Sequence, residues 1–403
     1  MPRRPAGGRV GGRAANRPRP RRHLYLVTED WAEGYSIRKV DLADDNGAAG
    51  SGDTDGHEPE PRRLPPAVLR VEAPHNGPQH FAAAFGTKIL FLQLTPWRYA
   101  PFFDVRTGCL TFSPRTQRIP AAPIYVPLGG DSLFRLDFSR FETLGPPPPP
   151  RDFEPTWADE FPEWSWRRLP IPPFARQLVT SHAVHPDGRT FFVSVRVQGS
   201  DSGNTFTFDT GAADGDDPRW TCHRGWQMPF KGPAHYDQKL DAWVGLTDDP
   251  ATVGHLCSCQ VPSTDDDGCW KPPAWKLSRE KLFGQDPAEK HAGATLVSLG
   301  TGYRSRFCLV ECLSRHGSRR HLLRLTTFSP RYHKNGDLSG PRDAVVFNRS
   351  SCPRCGSKTL DSWRAQWPSG CRSRTTSACL PHGSSRSCVS LAVSISFNFI
   401  DSY

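Results

Sequence analysis

The stretch TSHAVHPDGRTFFVSVRVQGSDSGNTFTFDTGAADGDDPRWTCHRGWQMPF, residues 180–230, decides the fold because it holds one complete four-strand pattern. Ser181 to Val184 alternates apolar with polar residues, His185-Pro186-Asp187-Gly188 is a tight turn, and Thr190 to Val195 is a return strand of β-branched and aromatic residues. Pro186 presets φ, Asp187 can accept hydrogen bonds from the backbone ahead of it, and Gly188 takes positive φ without a Cβ clash. Thr205 to Thr210 and Arg219 to His223 then supply a second strand pair. Two successive hairpins make a four-stranded antiparallel unit.

The same unit recurs on both sides. Leu24 to Val27 pairs with Tyr35 to Val40. Hairpin turns follow at Gly86-Thr87, at Gly129 to Ser132, at Pro186 to Gly188, at Asp237 to Leu240 and at Gly300 to Ser305. Successive turns fall roughly 45 to 65 residues apart, near the spacing of propeller blades with insertions. Second hairpins follow from Phe103 to Phe112, from Phe208 to Trp220, from His255 to Trp275 and from Leu322 to Phe347. Forty prolines and 35 glycines argue against long helices. A lone four-stranded sheet leaves its faces and edges unprotected, whereas radial stacking buries the faces between neighbours. The pattern therefore predicts an all-β protein, a β-propeller of six four-stranded blades over residues 23–347. Trp166, Trp220, Trp243 and Trp275 are expected to fill the layers between blades.

The ends read differently. Residues 1–22 carry eight Arg and no acid among Pro, Gly and Ala, which predicts a disordered basic arm. Residues 348–403 are rich in Ser, Arg and Cys and read as an irregular tail. Within 389–400, Val389, Leu391, Val393, Ile395, Phe397 and Phe399 alternate with smaller or polar residues, a pattern for a strand that could pair with an outer blade edge or promote aggregation. The eight charges of the arm and the five net charges of the tail exceed the whole-chain +10, so the body between them is slightly acidic. It offers no broad field for phosphate, and nucleic acid contact is expected only through the arm. A stretch rich in Gly, Asp and Pro from Ala43 to Pro61 reads as a loop.

Motifs for chemistry are weak. Cys352 and Cys355 resemble half a zinc knuckle, but Cys371 and Cys379 are too widely spaced to complete it. Cys257 with Cys259, and Cys308 with Cys312, sit at even spacing on predicted strands and read as small buried hydrophobes. Gly199 to Gly203 has Asp201 where a nucleophile elbow needs serine. His182, His185, His235 and His255 lie near strand ends without paired carboxylates and read as turn or surface residues. No cofactor, metal site or catalytic residue is expected. The twelve cysteines, with no apolar leader at the start and no apolar run of membrane length, are expected to be reduced thiols of a monomeric cytoplasmic or nuclear protein, neither secreted nor in a membrane.

The segments LYLVTEDWAEGYSIRKVDL, FFDVRTGCLTF, SHAVHPDGRTFFVSV, TFTFDT, KLDAWVGL, GHLCSC, PAWKL, EKLF and RLTTFSPRYHKNGDL occur in this order between Leu24 and Phe347. In them the chain resembles a plant family of uncharacterised kelch-like β-propeller proteins, known as a domain of unknown function. The resemblance implies a propeller and carries no catalytic residues over. Of the kelch double glycines, only Gly129-Gly130 is present. The expected function is a non-enzymatic protein-interaction scaffold whose loops present Trp97, Arg98 and Trp226 to a protein partner. A hydrolase or oxidase with a site at the channel mouth, and RNA contact through the basic arm, are the alternatives.

Overall fold

The structure is a computed structural model describing residues 23–31, 34–42, 62–72, 80–92, 99–114, 123–138, 140–148, 164–197, 203–211, 219–263, 270–284, 286–300, 305–315, 321–340, 343–349 and 391–395. β1 (His23–Trp31) and β2 (Gly34–Asp41) pair antiparallel, β3 (Arg62–Arg63) leaves their sheet, and β4 (Ala67–Glu72) returns to pair with β2. The next sheet is a meander of β5 (His80–Ala84), β6 (Lys88–Leu92), β7 (Tyr99–Asp104) and β8 (Cys109–Pro114). A third comprises β9 (Ile124–Leu128), β10 (Ser132–Leu136), β11 (Phe141–Leu144) and β12 (Arg167–Leu169).

The stretch that decides the fold forms β13 (Val179–Val184), β14 (Thr190–Arg196), β15 (Gly203–Asp209) and β16 (Trp220–His223). It is followed by β17 (Gly232–Asp237), β18 (Ala242–Leu246), β19 (His255–Gln260) and β20 (Trp275–Lys281). These two meanders are joined, because β13 and β17 approach closely enough to pair in parallel, Ser181 with Gly232 and Ala183 with Ala234. β21 (Glu289–Ser298), β22 (Phe307–Arg315) and β23 (His321–Phe328) begin the last sheet. A small hairpin of β24 (Arg331–Tyr332) and β25 (Leu338–Ser339) leaves it for the outer edge of β20, and β26 (Asp343–Arg349) returns to pair with β23. β3 lies parallel on the outside of β26, tying the first part of the chain to the last sheet. β27 (Leu391–Ile395) pairs antiparallel with β1.

Burial follows strand position within each meander. The first strands are mixed, the second strands β6, β10, β14 and β18 are almost wholly buried, and the fourth strands β8, β12, β16 and β20 are mostly exposed. First strands neighbour one another: β5 touches β9, β13 touches β17, and β17 touches β21. The sheets therefore stand like spokes, with their first strands toward an axis.

Apolar layers run between neighbouring spokes. Tyr25, Val27 and Ile37 pack on Phe81, Phe91 and Phe103; Leu90 and Phe102 on Leu133 and Leu144. Phe134 and Phe141 pack on Phe191 and Phe208, Phe192 on Trp243 and Cys257, and Val244 on Phe307 and Leu309. Leu323 and Leu325 of the last sheet meet Leu24 and Leu26 of the first. The circuit closes, giving an all-β, propeller-like ring. Each strand's period of two sends alternate side chains to opposite neighbours, so a second strand is buried on both faces and is mostly apolar, and its polar residues, such as Arg135 of β10, need buried partners.

The tryptophans divide. Trp243 is fully buried and its indole N–H donates to Val184 O of the neighbouring sheet at 2.8 Å. Trp220 packs edge-on to Phe174 and tilted against Phe141, and Trp166 donates to Pro114 O at 3.2 Å across a sheet boundary. Trp275 departs from the expectation: it is 53 % exposed, because it starts a fourth strand at the periphery, where no further layer covers it. The terminal strand also departs, pairing with β1 on the axial side where an outer edge was expected. β1 has the continuous burial of a second strand, which leaves the first-strand position beside it. The basic arm, the loop 43–61 and the cysteines from Cys352 to Cys388 lie outside the described residues.

Trp243→Ala removes a buried indole and its cross-sheet hydrogen bond, and is expected to cost about 3–5 kcal/mol. Urea unfolding of the variant beside the parent protein measures it.

Candidate functional site

In an antiparallel meander the first-to-second and third-to-fourth turns lie at one end of the sheet, and the remaining connections lie at the other. The ring therefore has two rims of different character. The turn rim satisfies itself. Asp187 Oδ1 accepts from the Arg189 and Thr190 amides at 2.9 Å each, with Gly188 at φ +71°. Asp237, buried at the β17–β18 turn, accepts from the Lys239 and Leu240 amides at 2.8 and 3.0 Å. Asp209 accepts from the Gly211 amide at 2.8 Å. Aspartate serves here to close turns, with its lone pairs spent on backbone N–H groups.

The opposite rim carries the second-to-third connections and those between sheets. On it Phe138, Ile171, Val197 and Val253 are exposed, at 52 %, 70 %, 36 % and 45 %. They come from four connections along one arc: the β10–β11 connection, the β12–β13 connection, the β14–β15 connection and, beyond the β16–β17 connection, the β18–β19 connection. Arg196 Nη2 and Asp248 Oδ2 pair at 3.0 Å between the last two.

Beneath this rim a thread of polar groups runs between the sheets toward the axis. Arg135 is fully buried, donates to Glu142 Oε2 and lies over the Trp166 ring at 5.4 Å. Arg140 Nη1 donates to the other carboxylate oxygen at 3.2 Å. The Tyr125 hydroxyl lies beside Arg135 without a well-formed hydrogen bond, and burial pushes its pKa up. Asp137 continues the thread toward Arg176, whose pKa burial lowers and Asp137 raises. The charges of His235 and Arg176 in turn both disfavour protonation of His182. The His235 Nε2–H donates to Leu296 O on β21 at 3.0 Å, fixing its tautomer. Both histidines keep part of their surface open, yet loss of water around them lowers the pKa of each, that of His182 to about 4. From sequence they read as turn or surface residues. The structure sets them half-buried on the first strands β13 and β17, and which sheets meet at the axis is not carried by residue spacing.

Other expected residues fall as follows. Trp226 is buried, in the layer with Ala183, Phe192 and Met228, and its carbonyl accepts from the Thr205 hydroxyl at 3.1 Å. The 224–231 connection folds down between sheets, so this ring faces the core. Trp97 and Arg98 belong to the β6–β7 connection and lie outside the described residues. His185 Nδ1 sits 3.0 Å from Asp187 Oδ2, and His255 Nδ1 is 2.8 Å from Ser278 O. Cys257, Cys259, Cys308 and Cys312 are buried and outside any disulfide, and burial raises the pKa of Cys259 and Cys308 to about 12. Among the described residues no three His, Cys, Asp or Glu side chains converge as a metal-binding set, and no helix is long and apolar enough to cross a membrane.

The family model described as protein of unknown function (DUF1668) matches residues 21–346. The chain belongs to this family. No curated protein matches it. Among solved structures, hydrazine synthase of Kuenenia stuttgartiensis is similar at 12 % identity and TM-score 0.32, with 68 % of each chain covered. A chain from a structural and mechanistic analysis of two prolyl endopeptidases is similar at 11 % identity and TM-score 0.33, covering 81 % of this DUF1668 chain and 49 % of that one. The chain thus spans about half the length of the second match. Likeness at that level says nothing of chemistry.

Two expectations follow from the polar thread. Histidines that resist protonation when folded contribute stability that is complete above the unfolded pKa of about 6.5. It is lost as pH falls toward the folded value, about 4 for His182. The melting temperature is expected to fall across that window, and His182→Gln to flatten the fall. Glu142→Gln leaves the buried Arg135 uncompensated and is expected to cost about 3–5 kcal/mol in chemical unfolding.

Proposed function

We propose that this DUF1668 chain is a six-bladed β-propeller serving as a non-enzymatic protein-interaction scaffold inside the cell. Counting the meanders by their first strands gives β5, β9, β13, β17 and β21, with β27 completing the first sheet. The single observation carrying the functional reading is an apolar arc on one rim. There Phe138, Ile171, Val197 and Val253 stand in water. Apolar side chains held out on a rigid scaffold suit a folded partner with an apolar centre and charges to match Arg196 and Asp248. The four buried reduced cysteines agree with an intracellular setting.

Affinity capture with the parent chain and with Phe138→Asp/Ile171→Asp tests this. Both substituted residues are exposed, so the variant should melt within about 1 kcal/mol of the parent. Proteins recovered by the parent and lost from the variant are the expected outcome. Identical recovery from both, or none from either, would sink the proposal.

A further inference from the structure

The first sheet differs from the others in how it obtains its axial strand. Residues Leu24 to Thr28 of β1 are all buried, which is the signature of the second strands β6, β10, β14 and β18 and of none of the described first strands. β2 then has the burial of a third strand, and β4, with every other residue exposed, that of a fourth. Among the described residues, no strand precedes β1. The position beside it, flanked by β5 and β21, is filled by β27 from the far end.

That filling is a single antiparallel ladder. Among the described residues it consists of five residue pairs, from His23 with Ile395 to Val27 with Leu391. The apolar layers holding the first sheet in the ring are built from Leu24, Leu26, Val40, Tyr25, Val27 and Ile37. β3 on β26 and Arg38 donating to Pro65 O add further ties. β27 is connected to β26 through 41 residues, 350–390, whose contour spans at most about 140 Å. A short backbone ladder on a long connection, at a place already held by side chains, is suited to exchange.

We propose that the axial edge of β1 is a strand-docking slot, occupied reversibly by residues 391–395. A partner presenting an extended, proline-free segment with apolar residues at alternate positions displaces them. The chain's own occupant supplies the specification: Leu391, Val393 and Ile395 alternate with Ala392 and Ser394. Recognition rests on main-chain hydrogen bonds to β1, with side-chain alternation setting register. The slot is at the axis and separate from the exposed apolar arc, so either can fail without the other.

The test uses the full chain and a fluorescent peptide of residues 389–397. In Val393→Pro/Ser394→Pro the attached strand loses consecutive ladder donors, so whichever N–H faces β1 is removed. Anisotropy should show the peptide binding this variant at least about tenfold more tightly than the parent chain, where the attached strand competes at a high local concentration. A scrambled peptide of the same composition should bind neither. In parallel, excess peptide added to the parent chain should speed amide exchange at Leu391 to Ile395 while β6 and β14 stay protected. Equal binding to parent and variant, equal binding of the scrambled peptide, or unchanged exchange at 391–395 would each overturn the proposal. The exchange measurement decides the matter if the double-proline chain does not fold.

Discussion

Every sheet in this protein has two faces that must be kept from water, and it has only its neighbours to do so. That constraint explains why the second strands are buried on both faces, why Phe141 touches Phe134, Phe191 and Phe208 at once, and why Trp243 sends its N–H into the next sheet. A ring answers the constraint because it has no terminal sheet. Burial of apolar area contributes roughly 25 cal/mol per Å², and in a closed circuit no inner face is excluded from it. The seam between the last sheet and the first is therefore the place where the chain takes most care. Leu323 and Leu325 on Leu24 and Leu26, β3 beside β26, and β27 beside β1 all act there.

Charged groups show the same constraint from the other side. Glu289 and Arg324 pair at 2.6 Å within the last sheet, and Arg324 comes within 3.9 Å of the fully buried Glu311. The Gly284 amide donates to Glu311 at 3.2 Å from the connection that leaves β20, and a Cβ on Gly284 would meet the Arg324 guanidinium at 1.8 Å. A side chain at 284 would thus displace the Arg324 guanidinium from its buried partners. Arg135 with Glu142 is the equivalent in the third sheet. Such pairs add little net stability over an apolar core, and breaking one is costly, so they fix which faces meet.

Much of the ring was legible in the sequence. The runs KILFL, SLFRL, TFFVSV, AWVGL and FCLVECL announce second strands by β-branched and aromatic content, and His185-Pro186-Asp187-Gly188 announces a turn that the structure builds from Asp187 and Gly188. What spacing does not carry is the neighbour across a layer. Trp226 and Trp275 both sit near loops in sequence, yet one folds under a connection and the other caps nothing. His182 and His235 look like turn residues until β13 and β17 are seen to meet. The β24–β25 hairpin escaped notice because its partner, β20, belongs to a different sheet, and its two strands are two residues each. The candidate site was least legible: Phe138, Ile171, Val197 and Val253 are scattered over more than a hundred residues, and only the common direction of the connections gathers them.

The parallel pairing of β13 with β17 makes the ring mechanically uneven. Elsewhere among the described first strands neighbours touch without pairing, but here Ser181 and Gly232, His182 and Pro233, and Ala183 and Ala234 are laddered across the gap. The ladder makes the span from β13 to β20 stiffer on its axial side than the joints where first strands only touch. Any breathing that widens the central opening must then concentrate at the remaining joints, the one beside β27 among them.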